Sequence, residues 1–175
     1  MAFFLLSKNM LPRFAKIALV ACSSVFLLLV VFGNLTDYGS NFGFVEHVLS
    51  MDTTFPGNHS LWRAITTPAL HHLFYATIIF WEAVSGSVIG VGAWRMWQAR
   101  GASAATWRKA KGLATAGLTL SLLQWYLAFI IVGGEWFQMW QSKTWNGQDA
   151  AFRMFAIVGL SLIFLNLRDE ELDAS

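Results

Sequence analysis

The sequence predicts an all-α integral membrane protein, a four-helix bundle with two interfacial outer segments. Three observations predict it. The 175 residues are 56% hydrophobic and only 13% charged, against about 25% charged in a soluble domain. Apolar runs long enough to cross a hydrocarbon layer, about 20 helical residues, occur four times. The basic residues gather at alternate ends of those runs, the pattern that orients membrane helices.

The chain reads as one membrane domain. Its first span covers about 14–32 ("FAKIALVACSSVFLLLVVF"), and no small-x-small cleavage site follows in "VVFGNLTD", so it reads as a retained anchor. The second, 68–97, opens with Thr66 and Thr67 ahead of Pro68, a good helix start with proline at the first position. It is longer than one crossing needs and should tilt or begin among the headgroups. The third, 113–132 ("LATAGLTLSLLQWYLAFIIV"), is expected to end at Gly133–Gly134. The fourth, 151–167, is the shortest, with Arg153 near one end, where it can snorkel to the headgroups.

Lys8, Arg13 and Lys16 stand at the start of the first span, Arg95, Arg100, Arg108, Lys109 and Lys111 flank the second connection, and Arg168 follows the fourth span. Only Arg63, Lys143 and Arg153 mark the opposite side. The positive-inside rule therefore places both termini and the 98–112 connection in the cytoplasm, with 33–67 and 133–150 outside. A net charge of +2 gives no reason to expect nucleic acid as a partner. The single Cys22 cannot form an internal disulfide.

The outer segments carry structure of their own. In "NFGFVEHVLSM", Phe42, Val45 and Leu49 fall at helical spacing with Glu46 and His47 between them, which suits a short amphipathic helix on the membrane. In "GGEWFQMWQSKTWNGQD", Trp136, Phe137, Trp140 and Trp145 read as an aromatic belt at the water interface.

With "VLSMDTTFP" in the first outer segment, "GVGAWRMWQAR" leaving the second span, "GGEWFQMWQSKTWNG" after the third and "LIFLNLRD" closing the fourth, the chain resembles a family of predicted small integral membrane proteins of bacteria, a domain of unknown function. The resemblance covers nearly the whole chain. It implies four spans in a bacterial inner membrane and carries no activity, cofactor or site residue with it. The glycosylation pattern at Asn34-Leu35-Thr36 and Asn58-His59-Ser60 is accidental in such a source.

Glu82 is the residue that most needs a reason, because an ionisable group inside a span is costly and turns to a partner, a cavity or the bundle interior. Counting from Pro68 at 1.5 Å per residue puts it about 21 Å along its helix, near mid-membrane, with Gln124 of the third span at similar depth. Either Glu82 only bonds Gln124 or a backbone carbonyl, or it handles a proton, ion or substrate. His71, Tyr75, Ile78 and Glu82 share one helical stripe, but His71 and Glu82 are about 16 Å apart along the axis and cannot hold one ion. His71 with His47 or His59 could serve a haem near the outer face, though no metal-ligand spacing supports it. Ala83, Gly86, Gly90 and Ala93 repeat at three- and four-residue spacing and permit close helix approach, within the chain or to a second one.

The sequence contains no catalytic constellation, phosphate loop or dinucleotide fingerprint, and no catalytic residue, metal or cofactor is expected. The expected role is a non-enzymatic membrane protein, with the bilayer as its solvent, that associates with itself or with a larger membrane complex. A small proton-coupled transporter using Glu82 is the alternative, ahead of a haem or quinone oxidoreductase subunit.

Overall fold

The computed structural model describes residues 10–169, which form helices, short turns and no strand. The helices are α1 (Met10–Thr36), α2 (Tyr38–Ser50), α3 (Pro68–Gln98), α4 (Ala104–Ala110), α5 (Gly112–Leu123) and α6 (Gln148–Asn166). A π-helix, Gln124–Trp136, continues α5 without a break. Four stretches are long and apolar enough to cross a membrane: Met10–Thr36, Pro68–Gln98, Ala104–Trp136 and Gln148–Asn166. The protein is thus an all-α membrane bundle.

The helices outrun the expected spans where packing continues them. The first passes Gly33 and stops at Thr36, the bend coming at Asp37. The third passes through Gly133 and Gly134 to Trp136, because both glycines are buried contact points and do not mark a break. A Cβ on Gly133 would stand 3.3 Å from the Met139 sulfur, and one on Gly134 would stand 2.6 Å from the Gln148 amide. Lys8 lies outside the described residues.

α3 is the central helix, packed against α1 on one side and α5 on another, while α6 lies against α5 and the π-helix. Small residues allow this. Gly86 takes Leu27 and Leu28 of α1 against its backbone, and Ser24 Oγ sits where a Gly90 Cβ would be, at 2.8 Å. The same hydroxyl donates to the Gly86 carbonyl at 2.8 Å. On the α5 side, Gly92 meets the Ala114 backbone and Gly117 meets Ile89. Such small-residue contacts are what brings membrane helices together, since lipid tails are as apolar as the side chains.

Two apolar clusters fill the bundle. One, toward the end where α1 begins and α6 finishes (the basic end), contains Val20, Leu27, Ile89, Met96, Trp107, Leu118 and Leu165. The other, toward the opposite, loop end, joins Val45, Val48 and Leu49 of α2 to Tyr75, Ile79, Phe137 and Met139. The apolar face of α2 therefore covers protein, where the sequence pattern suggested lipid, and Phe42 of the same helix stacks on His72 at 4.3 Å. The loops beyond it latch together: Asn58 Nδ2 donates to Gln138 Oε1 at 2.8 Å, and Phe55 N donates to Gln141 Oε1 at 3.0 Å.

At the basic end the structure departs from a simple headgroup-facing arrangement. Arg13, Lys16 and Lys111 are buried. Lys16 Nζ lies 2.6 Å from Asp169 Oδ1 and donates to the Leu167 carbonyl at 2.9 Å; Lys111 Nζ lies 2.5 Å from Asp169 Oδ2 and donates to the Leu165 carbonyl at 2.9 Å. Arg13 donates to the Arg100 and Ala102 carbonyls and lies over Trp107. The last carbonyls of a helix have no partner within it and carry partial negative charge, so buried cations settle there.

Burial alone raises the Asp169 pKa, but hydrogen bonds from Lys111 and Lys16, with Trp107 acting in the same direction, hold it below its ordinary 3.8. A carboxyl held low in the folded state contributes stability above its unfolded value and loses it as pH falls through the folded one. Detergent-solubilised protein should therefore keep its thermal midpoint from neutral pH down to about pH 5 and lose stability below about pH 4. Asp169→Asn should cost about 3 kcal/mol at neutral pH, the effect of removing one partner from a buried ion pair, and should flatten the acid limb. A midpoint unchanged by Asp169→Asn in thermal unfolding would show that the two lysines are held by other means.

Candidate functional site

The buried face of α3 runs through His71, Tyr75, Ile79, Glu82, Ser85, Gly86 and Ile89. Its stripe passes through Ile79, with Ile78 only half-buried. Glu82, 2% exposed, does not bond Gln124. Glu82 Oε2 accepts from Asn34 Nδ2 at 3.1 Å, and Asn34 Oδ1 accepts from Asn41 Nδ2 at 2.8 Å. Gln124 instead donates to the Ile78 carbonyl at 3.3 Å, and its Oε1 has no hydrogen-bond partner. The relay α2–α1–α3 built by Asn41, Asn34 and Glu82 is the main polar contact of the bundle interior.

Asn34 belongs to the last turn of α1, so the carboxyl lies level with the end of that helix and beneath α2. The thirteen residues from Glu82 to Arg95 span about 20 Å. The fourteen residues from Pro68 to Glu82 span about 21 Å, so Glu82 stands near the middle of α3.

The carboxyl and both asparagines line a cavity of about 150 Å³, with Tyr75, Trp125, Phe44 and Phe129 among its walls. Glu82 is the one acidic side chain in that lining, which contains no basic one. The Tyr75 hydroxyl and the Trp125 indole N–H are buried without a hydrogen-bond partner. Phe44, Trp125 and Phe129 also wall a cavity of about 250 Å³ that reaches Thr144, Asn146 and Gly147 at the loop end. Toward the basic end, Glu82 is followed by the apolar cluster around Ile89 and Leu118. The π-helix starts at Gln124, and π turns are frequent at functional sites; here the segment supplies Trp125 and Phe129.

His71 is buried but separate from this cavity, its Nε2 2.7 Å from the Ile65 carbonyl. His72 pairs with the Tyr38 hydroxyl at 2.8 Å, and His47 with Asp52 at 2.7 Å. Among the described residues no group of three or more histidine, cysteine or acidic side chains could hold a metal ion. Gly86 and Gly90 are taken up by α1 of the same chain, and Ala93 belongs to the apolar cluster of the basic end; Ala83 is half-buried. Of the aromatic belt, Trp136 and Trp140 are exposed; Phe137 is buried in the core, and Trp145 stacks on His47 at 4.7 Å. Trp62, 73% exposed, joins Trp136 with Arg63 over both rings.

Sequence reasoning missed Trp125, Phe44 and Phe129, which look like any aromatic residues of an apolar helix, and it missed Asn34 and Asn41. The two asparagines are seven apart, and a helix carried past Gly33 would have brought Asn34 within reach of the second span.

A double-mutant cycle with Asn34→Ala and Glu82→Leu, read by thermal unfolding in mild detergent, should give a coupling of about 1 kcal/mol, the scale of polar pairs inside membranes. Strictly additive losses would show that the two side chains share no bond in solution.

A model of the family described as predicted small integral membrane protein (DUF2165) matches residues 12–168, and the chain belongs to that family. No curated protein and no solved structure matches it significantly.

Proposed function

We propose that this member of the small integral membrane family is a proton-linked binding protein, the working core of a small proton-coupled carrier, with Glu82 as the exchanging group. The observation that carries the reading is the cavity of about 150 Å³ in which a buried carboxyl, bonded to an amide and to no cation, meets an unpartnered hydroxyl and indole N–H. An ionised carboxylate among apolar walls is tolerable only beside a cation or water. Occupancy of the cavity and protonation of Glu82 are therefore linked. Phe44, Trp125 and Phe129 stand between the site and the loop end, while the dry cluster beneath it closes the way to the basic end.

Dicyclohexylcarbodiimide, an apolar reagent that modifies protonated carboxyls, should label Glu82 in membranes, less as pH rises, and Glu82→Gln should abolish the label without moving the thermal midpoint. A Glu82 peptide that stays unmodified at every pH would mean a sealed structural carboxyl and would overturn the proposal.

We place the basic end in the cytoplasm of a bacterial inner membrane, because Arg95, Arg100, Arg108 and Lys109 cluster there while Arg63 and Lys143 are at the other end. In a Cys22→Ser background, cysteines at Ser103 and Gln148 should label from opposite sides of the membrane. Labelling from the same side refutes this topology.

A second reading, an accessory subunit that associates with copies of itself or with a larger assembly, draws on the exposed Trp62, Trp136 and Trp140 at the loop end. The glycine face of α3 no longer speaks for it, because α1 occupies that face. Crosslinking in mild detergent that recovers only monomer would remove this reading.

A further inference from the structure

A second cavity, of about 230 Å³, adjoins the Glu82 cavity and shares Phe44, Val45, Ile78 and Phe129 with it. Apart from Thr77 its own walls are apolar, with Val48, Leu49, Trp81 and Val132 inside and the exposed Phe74 and Leu127 at its rim. Phe74 belongs to α3 and Leu127 to the π-helix, so the opening lies between two spans, on the side where hydrocarbon surrounds the bundle. The two cavities lie on either side of these four side chains, one polar beside Glu82 and one apolar toward the lipid.

The chemistry of the polar part narrows the occupant. Its lining contains no lysine or arginine, which excludes a phosphate headgroup. Tyr75, 1% exposed, and Trp125, 9% exposed, each leave a donor without a partner, and Glu82 Oε1 adds an acceptor or, when protonated, a third donor. Four aromatic side chains, Phe44, Tyr75, Trp125 and Phe129, give the cavity flat walls. A space of about 150 Å³ takes one six-membered ring.

We propose that the two adjoining cavities bind a lipid-soluble ring of the quinone or phenol class, its ring oxygens at Tyr75, Trp125 and Glu82 and its hydrocarbon tail in the apolar cavity, the ligand entering sideways from the bilayer and parting the side chains shared by the two cavities. The inference rests on the Glu82 binding reading and names its ligand class. It concerns binding alone and includes no redox step.

The full chain in nanodiscs, incubated with a fully substituted decyl benzoquinone and released for native mass spectrometry, should retain one quinone per chain in a saturable manner. Decylbenzene, which has the tail and ring but no oxygen, should not be retained. Tyr75→Phe should raise the half-saturating concentration about five- to tenfold, the effect of one lost hydrogen bond. Ala128→Phe, which fills the apolar cavity alone, should raise it as well. Removing an unpartnered buried hydroxyl costs no stability, so the unfolding midpoint of Tyr75→Phe, recorded alongside, should stay at the wild-type value, whereas a merely structural Tyr75 predicts a lowered midpoint. Absence of quinone retention, equal retention of decylbenzene, or a Tyr75→Phe variant that binds as wild type overturns the inference. Carbodiimide labelling of Glu82 reports on the binding reading separately: a labelled Glu82 with no quinone retained sinks the ligand class and leaves the site standing.

Discussion

Close approach to the α3 backbone, by side chains of α1 and by the backbone of α5, is the constraint on which the rest of the structure depends. Gly86 and Gly90 admit α1, while Gly92 and Gly117 bring α3 and α5 together. Among lipid tails, apolar side chains gain little by leaving lipid for protein, so close approach and interhelical hydrogen bonds must hold the bundle. The Ser24 hydroxyl shows both at once, filling the space over Gly90 and bonding the Gly86 carbonyl. Once α3 is pinned on two sides, its loop-side half has a fixed direction, and α2 and the π-helix close around it.

The polar site follows from that seam. Glu82 stands one turn from Gly86, so the tight contact that brings α1 in also delivers Asn34 to the carboxyl. Farther toward the loop end, larger side chains such as Phe44, Trp125 and Phe129 pack around cavities that they do not fill. Close packing on the basic side and open packing on the loop side thus make one system, with the ionisable group at the change from one to the other.

The four spans were legible because length, hydropathy and the placement of basic residues are one-dimensional signals, and Pro68 marked the start of α3 to the residue. The stripe through His71, Tyr75 and Glu82 was legible too, since helical period alone defines a face. The partner of Glu82 was not. Gly33 reads as a terminator when context is ignored, which left Asn34 outside the span and made Gln124 the candidate at matching depth. Burial of Lys16 and Lys111 was hidden for a related reason: a lysine near the end of a span looks the same whether it meets headgroups or the carbonyls of α6. The π-helix has no sequence signal at all, since its side chains are those of any apolar membrane helix.

The clasp at Asp169 also sets an order of events. Its carboxylate joins Lys16, 153 residues earlier in the chain, to Lys111, 58 residues earlier. A ribosome delivers α1, α3 and α5 to the bilayer before it makes Asp169, so Lys16 enters the membrane with no counter-ion and waits for nearly the whole of translation. Until then α1 can stay near the headgroups, where its ammonium is hydrated, and slide inward only when α6 brings the acid. The last described residue of the chain thus supplies the counter-charge for a lysine of the first helix, a contact that can form only once α6 has been made.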